Sequence, residues 1–372
     1  MAAKIGTVPR ERLPFVRLAA VGDLLLAPVG VRSPYRRAAA LVSPPVRRLF
    51  AESDLVFGNL ECTLAGDDGC VPTEPRVLAT EDWVRAVGAA GFDLVTLANN
   101  HAFDGFESGF LTLRRLLETL PLPHFGAGMN LGEATAPAVV ERGGLRLALL
   151  AAVDESTGPY CFAADGQPGV APLDVGRLTA QIAALRAEVD HVIVSLHWGE
   201  ERFAIPSPAQ VEQARRLVDA GASMVIGHHP HVLQGLEYWR GAPIAYSLGN
   251  FFADEVPFSD GDAVRWNRTE RTGAVLLAEL TADAVRNVRL VPTFDAGVAV
   301  ELDESGFGTR HLVRLNQALA RGVTAGRYRR EHFRVNTLRP ALARLRWSRL
   351  RKLRPRHLRT ALARVLAAVR TR

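Results

Sequence analysis

The sequence predicts an α/β protein, in which helices pack on the faces of a largely parallel or mixed sheet, followed by a basic helical tail. Three observations support this prediction. Short β-rich runs alternate with helical patterns over most of the chain, polar residues follow several of these runs, and the balance of charge changes close to residue 303. The 372 residues, 48% of them apolar, suffice for one large domain or two ordinary ones.

The alternation of the two patterns gives the order of the elements. The β-rich runs are Phe15–Val21, Leu55–Phe57, Leu94–Leu97, Leu145–Ala151, His191–Leu196, Met224–Ile226 and Ile244–Tyr246. The helical patterns are Glu81–Ala90, Gly105–Thr119, Val175–Glu188 and Pro208–Ala220. The segment Ala274–Val291 adds a pair of strands that we expect to be antiparallel. These elements predict an α/β domain over residues 15–303, after an N-terminal extension at residues 1–14.

Residues 304–372 form the basic tail. From Gly306 onward, eighteen Arg and one Lys stand against a single acid, whereas the preceding residues hold 26 basic and 38 acidic groups. Apolar residues recur at helical spacing over residues 356–369, with arginines on the other side, which is typical of a basic amphipathic helix. An anionic membrane surface is therefore one expected partner, through residues 340–372. A solvated helix packed on the body is the alternative, and nucleic acid is less favoured because no recognised binding motif occurs.

The rest of the composition bears on location. No uninterrupted apolar run reaches the roughly 18 residues of a membrane-spanning helix, and Asp23 interrupts the apolar segment near the N-terminus. Neither a basic leader nor a small-residue cleavage site marks that segment as a signal peptide. Three cysteines are too few for a disulfide framework, so we expect free thiols. These features predict a cytoplasmic protein, held at the membrane periphery if the tail binds there.

Polar residues follow the predicted strands where each strand ends. They are Asp23, Asn59, Glu61, Asn99, Asn100, His101, Asp104, His197, Glu200, Glu201, His228, His229, His231, Ser247 and Asn250. In open α/β sheets the carboxyl ends of the strands form the ligand-binding edge. Imidazole, carboxylate and amide groups together suit Zn, Mn or Fe better than Ca or Mg, so the pattern predicts one or two divalent metal ions. Taken singly, an Asp of this kind is usually a helix cap and an Asn pair is usually a turn.

The order of these motifs carries a resemblance. GD, NLE, LANNHAFDG, SLHWGEE, IGHHPHVLQGLE and YSLGNF follow one another between Val16 and Phe252. This order resembles the CapA (PGA-cap) family of capsule-synthesis proteins, which is related to the calcineurin-like metallophosphoesterases. The resemblance implies a four-layer sandwich of two mixed β-sheets flanked by helices, with a dinuclear metal site between its loops.

The resemblance also implies roles for individual residues. The implied metal ligands are Asp23, Glu61, Asn100, His197, His229 and His231. His101 would be the catalytic proton donor. From the chemistry of the side chains themselves, we expect ligand-orienting or substrate-contacting roles for Asn59, Asp104, Glu201, His228, Ser247 and Asn250, with a simple turn as the alternative for the SLGN motif. Two positions depart from the pattern, because Leu25 stands where the phosphoesterase motif has a histidine and Arg202 stands where a tyrosine is usual.

The function implied is metal-dependent hydrolysis or transfer, linked to poly-γ-glutamate (capsule) biosynthesis or to γ-glutamyl and other amide-linked substrates. The expected substrate is a γ-glutamyl compound or another polyanion. One alternative is a cytosolic metal-dependent phosphoesterase, and a second is a non-catalytic assembly factor that binds a polymer. No GxxxxGK[ST] loop occurs, so an ATP-driven ligase would lack its usual phosphate cradle.

Overall fold

The computed structural model describes residues 15–27 and 41–338. The predicted extension at residues 1–14 and the amphipathic segment at residues 356–369 lie outside the described residues. The strands are β1 (Phe15–Leu25), β2 (Leu55–Asn59), β3 (Thr63–Leu64), β4 (Leu78–Ala79), β5 (Leu94–Thr96), β6 (His124–Phe125), β7 (Ala127–Gly128), β8 (Ala138–Arg142), β9 (Leu145–Val153), β10 (Gly169–Val170), β11 (His191–His197), β12 (Met224–His228), β13 (Leu236–Trp239), β14 (Ala242–Ala245), β15 (Asn250–Ala253), β16 (Val256–Pro257), β17 (Ala263–Val264), β18 (Thr272–Thr281), β19 (Ala284–Asp295) and β20 (Val300–Leu302). The helices are α1 (Pro44–Ala51), α2 (Glu81–Ala90), α3 (Phe106–Thr119), α4 (Leu131–Ala134), α5 (Val175–Leu185), α6 (Pro208–Asp219), α7 (Phe307–Ala320) and α8 (Ala325–Phe333).

Two mixed sheets form the body of the protein. In the first sheet the strand order is β20-β19-β18-β1-β2-β5-β6, and β15 also pairs with β1. In the second sheet the order is β13-β14-β12-β11-β9-β8. The strands β9, β11, β12 and β14 run parallel, and the edge strands β8 and β13 are antiparallel to their neighbours. Each sheet therefore has a parallel centre, whose carboxyl ends lie on one edge.

The two sheets pack face to face, and alternation along the strands shows this directly. In β9, Leu147 and Leu149 belong to the large core cluster that also contains residues of the first sheet. Ala148 and Leu150 instead pack in a second cluster with residues of α5 and α6. Because successive side chains of a strand point to opposite faces, β9 is covered by the other sheet on one side and by helices on the other. This double burial explains why its sequence is almost continuously apolar.

The predicted fold class is confirmed, including the two mixed sheets and their flanking helices. Each β-rich run and each helical pattern of the sequence falls on an observed element, and β18 and β19 are the predicted antiparallel pair. None of the described helices is long and apolar enough to cross a bilayer. The three cysteines are free thiols.

Helix α7 belongs to the compact unit that ends at Val323. Its buried Leu312 and Leu315 pack with Leu233, and Asn316 Oδ1 accepts a hydrogen bond of 2.9 Å from the backbone N–H of Leu236. The boundary predicted at residue 303 rests on the change in charge along the sequence, and it stays a prediction. A second unit starts at Thr324 and includes α8, which Thr324 caps by accepting a hydrogen bond from the backbone N–H of Arg327.

Candidate metal centre

Asp23 lies where β1 meets two other strands. It pairs with Asn59 of β2 and with Asn250 of β15, and both pairings are irregular at this point. The backbone N–H of Asp23 donates to the carbonyl of Gly249, at 3.0 Å. A Cβ atom on the preceding Gly22 would lie 1.8 Å from that same carbonyl oxygen, so only glycine fits there. The close approach of β1 and the Gly249 turn places a fully buried carboxylate at the edge of the first sheet.

The Asp23 carboxylate is held by groups from three segments. Asn59 Nδ2 donates to Asp23 Oδ1 at 2.8 Å, and the backbone N–H of His229 donates to Asp23 Oδ2 at 3.1 Å. His228 Nδ1 and His231 Nδ1 each lie 3.4 Å from one of its oxygens. Burial raises the pKa of Asp23, but the two histidines outweigh burial and hold that pKa well below its usual value. Asp23 is therefore an ionised ligand candidate.

Glu61 is the carboxylate that the described residues leave unsatisfied. It is fully buried, and neither of its oxygens has a hydrogen-bond partner there. Its Oε1 lies 3.5 Å from His197 Nε2 and 3.8 Å from His231 Nε2. Burial first, and the charge of Asp23 second, raise the pKa of Glu61 well above its usual value. A buried carboxylate without donors is costly, and a bound cation is the simplest partner that would satisfy it.

One group of candidate ligands surrounds His197, at the carboxyl end of β11. Ligand atoms of Glu61, His197 and His229 all lie within 4.8 Å of one another, and Asn100 Oδ1 is 2.8 Å from His197 Nε2. Donors about 2 Å from one shared ion have separations of this order. Burial lowers the pKa of His197 well below its usual value and that of His229 to about 3, so both rings are neutral at pH 7. His229 Nδ1 is buried without a partner among the described residues, which leaves it free to bind metal.

A second group lies beside the first and shares Glu61. Ligand atoms of Asp23, Glu61 and His231 lie within 4.8 Å of one another. His231 Nδ1 contacts Asn250 Oδ1 at 2.9 Å, and Asn250 Nδ2 donates to the Glu270 carbonyl at 3.0 Å. Donation from Nδ1 to Asn250 leaves the Nε2 lone pair of His231 available, which is the usual way in which a neighbouring group orients a metal-binding imidazole. Two adjoining positions, joined by one carboxylate, thus fit divalent ions.

The loop after β12 adopts strained backbone to aim its imidazoles. His229 has φ 92° and His231 has φ 55°, a region that non-glycine residues rarely occupy. Such strain persists where the surrounding structure fixes it, and it is concentrated at functional sites. His228, the first histidine of the three, contacts Asp23 but belongs to neither group, and both of its ring nitrogens lack a hydrogen bond within the described residues.

His101 and Asp104 form a pair at the side of the centre. His101 Nδ1 lies 2.7 Å from Asp104 Oδ2, and the same oxygen accepts the backbone N–H of Val77 at 2.8 Å. Asn100 Nδ2 lies 3.3 Å from His101 Nε2. The pair is nearly buried, with His101 8% exposed. Asp104 therefore fixes the orientation of the ring, and Nε2 points towards the candidate ligand Asn100.

The remaining sequence-derived candidates are placed as follows. Asn59 Nδ2 lies 3.3 Å from His197 Nδ1 and also contacts Asp23. Asn59 thus contacts one candidate ligand from each of the two sheets. Glu201 is exposed and has a carboxylate oxygen near His229 and His231. Ser247 Oγ accepts the backbone N–H of Gly249 at 3.1 Å, which is a contact of the turn itself. Leu25 is in the hydrophobic core and provides no ligand.

Two further residues shape the centre, of which sequence analysis placed Asn99 at a strand end without giving it a role and did not name Trp266. Asn99 is fully buried and donates from Nδ2 to Asn59 Oδ1 at 3.0 Å, while its Oδ1 accepts the backbone N–H of His101. The doubled asparagine was the only signal for it. The centroids of the Trp266 and His231 rings lie 5.1 Å apart. No motif in the sequence around Trp266 indicated this contact.

Comparison with solved structures supports the fold. The chain is similar to the crystal structure of a phosphatase from Mycoplasma pneumoniae, with a TM-score of 0.50, 14% sequence identity, and coverage of 79% of this chain and 96% of that one. At this identity the likeness extends to the fold alone. It agrees with the metallophosphoesterase-like sandwich that the motifs implied.

Comparison with sequences identifies the family. The family described as bacterial capsule synthesis protein PGA_cap matches residues 17–255, which is well over half of the chain. The capsule biosynthesis protein CapA of Bacillus anthracis is 32% identical over 68% of this chain and 62% of its own length. The PGA biosynthesis protein CapA of Bacillus subtilis is 30% identical over 68% of this chain and 65% of its own length. The chain thus spans less than two thirds of these relatives, and it belongs to the bacterial capsule synthesis protein PGA_cap family.

Proposed function

We propose that the protein is a metal-dependent hydrolase or transferase that acts on γ-glutamyl, amide-linked substrates of the capsule-polymer type. The observation that carries this proposal is Glu61, a buried carboxylate without hydrogen-bond donors among the described residues, which the two groups of candidate ligands share. A purely structural role would leave that carboxylate unsatisfied. One or two divalent ions would satisfy it, and the mixture of nitrogen and oxygen donors suits Zn, Mn or Fe.

Six of the residues are candidate metal ligands. Glu61, Asn100, His197 and His229 would hold one ion, and Asp23 with His231 and the shared Glu61 would hold the other. When bound, such ions supply Lewis-acid chemistry at the bond that is cleaved.

His101 is the candidate proton donor. Its Nδ1 is fixed by Asp104 at 2.7 Å, so Nε2 is the atom that would deliver a proton to the leaving group. The contact with the Asp104 carboxylate would keep the ring in this orientation during the transfer.

The substrate class comes from the relatives and from charge. The two Bacillus proteins are named for capsule and PGA biosynthesis. Arg202, whose side chain is 45% exposed, lies with its guanidinium 5.3 Å from the Trp266 ring centroid, and that ring borders His231. Arg202 Nε also pairs with Glu270 Oε1 at 3.5 Å, and a partly exposed cation beside a ring that borders His231 would suit a substrate that carries carboxylates, such as a γ-glutamyl peptide.

The test is an assay of metal-loaded protein on γ-glutamyl peptides, in parallel with a panel of phosphate mono- and diesters. The proposal expects cleavage or transfer of the γ-glutamyl amide, with metal removal abolishing it. Turnover of phosphoesters alone would replace the proposal with the phosphoesterase alternative. Metal binding without turnover of either class would favour an assembly factor.

A further inference from the structure

The two groups of candidate ligands are unequal. Glu61, Asn100, His197 and His229 provide four donors for one position, whereas Asp23, Glu61 and His231 provide three for the other among the described residues. Catalytic zinc usually has three protein donors and a water, whereas octahedral ions such as manganese take more donors. Leu25, two residues after Asp23, is 1% exposed within the hydrophobic core and adds none. The second position is therefore the one with fewer donors, and it has room for a further one.

A backbone hydrogen bond holds the loop that carries Glu201 close to the second position. The backbone N–H of Arg202 donates to the carbonyl of Pro230 at 2.7 Å, and Pro230 lies between the two histidines of the loop after β12. Arg202 has φ 59°, so this turn is held in a conformation that non-glycine residues rarely adopt. The loop that carries Glu201 is thus tied to the loop that carries His229 and His231.

The side chains agree with the backbone. A carboxylate oxygen of Glu201 and ligand nitrogens of His229 and His231 all lie within 4.8 Å of one another. One of these partners, His231, is also a member of the Asp23–Glu61–His231 group, which links Glu201 to that position. A carboxylate that is exposed and faces two buried imidazoles can move the short distance that coordination requires.

We propose that Glu201 is a direct ligand of the metal at the Asp23–Glu61–His231 position and provides the donor that Leu25 cannot. This inference rests on the metal centre of the proposed function. It differs from an orienting role, in which Glu201 would only hydrogen-bond to a histidine that binds metal. An orienting residue changes metal affinity by about 10- to 100-fold and leaves the set of ligand atoms unchanged.

The experiment compares full-length wild type with Glu201→Gln, Glu201→Asp and Glu200→Gln. Glu201→Gln removes the charged oxygen with little change in volume, Glu201→Asp keeps a shorter carboxylate, and Glu200→Gln removes one charge from the neighbouring residue. Bound metal per chain is measured after dialysis, affinity by competition with a chelator, and coordination by the visible absorption of the cobalt(II)-loaded protein.

Glu201→Gln should weaken the more weakly held ion by more than about 100-fold, beyond the range of an orienting residue, and should change the cobalt spectrum. Glu201→Asp should recover part of the affinity, and Glu200→Gln should match wild type. An unchanged spectrum and stoichiometry in Glu201→Gln would overturn the inference, and so would an equal loss in Glu200→Gln, because the effect would then be one of charge alone. If wild type itself bound no metal, the proposed function would fail and this inference with it. If wild type bound metal and Glu201→Gln behaved like wild type, only this inference would fail.

Discussion

Gly22→Ala should separate the strands that assemble the metal centre. A Cβ atom at Gly22 would lie 1.8 Å from the carbonyl oxygen of Gly249, and real Cβ contacts are essentially never shorter than 3.0 Å. The backbone must therefore shift by about 1.2 Å. The atom in the way is main chain, held by the hydrogen bond between the Asp23 N–H and that carbonyl, so it cannot rotate aside.

The magnitude follows from the kind of clash. Overpacking in a well-packed interior typically costs about 1–3 kcal/mol, and a backbone shift at a strand junction belongs at the upper end, so we expect the free energy of unfolding to fall by about 2–3 kcal/mol. The shift would also move Asp23 relative to Asn250, its partner in β15. Metal content should therefore fall along with stability.

Gly88→Ala is the matched control for this substitution. Gly88 lies inside α2, where an added Cβ would find its nearest neighbours at 3.9 Å, an ordinary van der Waals contact. Alanine is favoured over glycine in a helix interior, so this variant should gain about 0.5–1 kcal/mol. Urea unfolding of both variants, with metal analysis of the folded proteins, is the assay. Wild-type stability and metal content in Gly22→Ala would refute the account of the strand junction.

Three further predictions follow from the site and its surroundings. His101→Ala should keep its metal and lose about 10²–10⁴-fold in turnover, as measured by metal analysis and steady-state kinetics; retained turnover would remove the proton-donor role. Burial, together with the charge of Asp295, raises the pKa of Asp254 to about 7, so the folded state keeps a proton that the unfolded state releases, and stability falls as pH rises from about 4 to about 7, by up to about 4 kcal/mol. Asp254→Asn should remove that loss, being more stable than wild type at pH 8 and no more stable at pH 4, and equal stabilities at pH 8 in urea titrations would contradict this. The full-length protein should sediment with anionic vesicles at low salt while a chain ending at Val323, which keeps α7, should not; full-length protein that stays in solution would refute the membrane role of the tail.

Much of the fold was predictable because the interior strands are buried on both faces. The runs that became β9, β11 and β12 are apolar almost throughout, and the helical patterns between them give clear periodicity. Edge elements were harder to predict. β8 combines half-buried and exposed residues and gives a weak signal, and Asn250 begins a short strand that the sequence did not predict.

The site was predictable as a set of residue types at strand ends, but its detailed geometry was not. Sequence order placed Asp23, Glu61 and the histidines at one edge, and the structure brings them together. The hydrogen bond from Arg202 to Pro230 joins residues that are distant in sequence, and it depends on backbone strain that no residue pattern reveals. The packing of Trp266 against His231 is likewise a product of the tertiary fold.

The metal content of the gently purified protein tests the central claim most directly. Wild type should retain roughly one to two equivalents of a divalent transition metal, and His229→Ala combined with His231→Ala should lose most of it, because this pair contributes to both candidate positions. His124→Ala combined with His311→Ala removes two imidazoles that belong to neither group and should keep the wild-type content. Equal metal content in the His229/His231 double variant and in wild type would contradict the assignment of the metal centre.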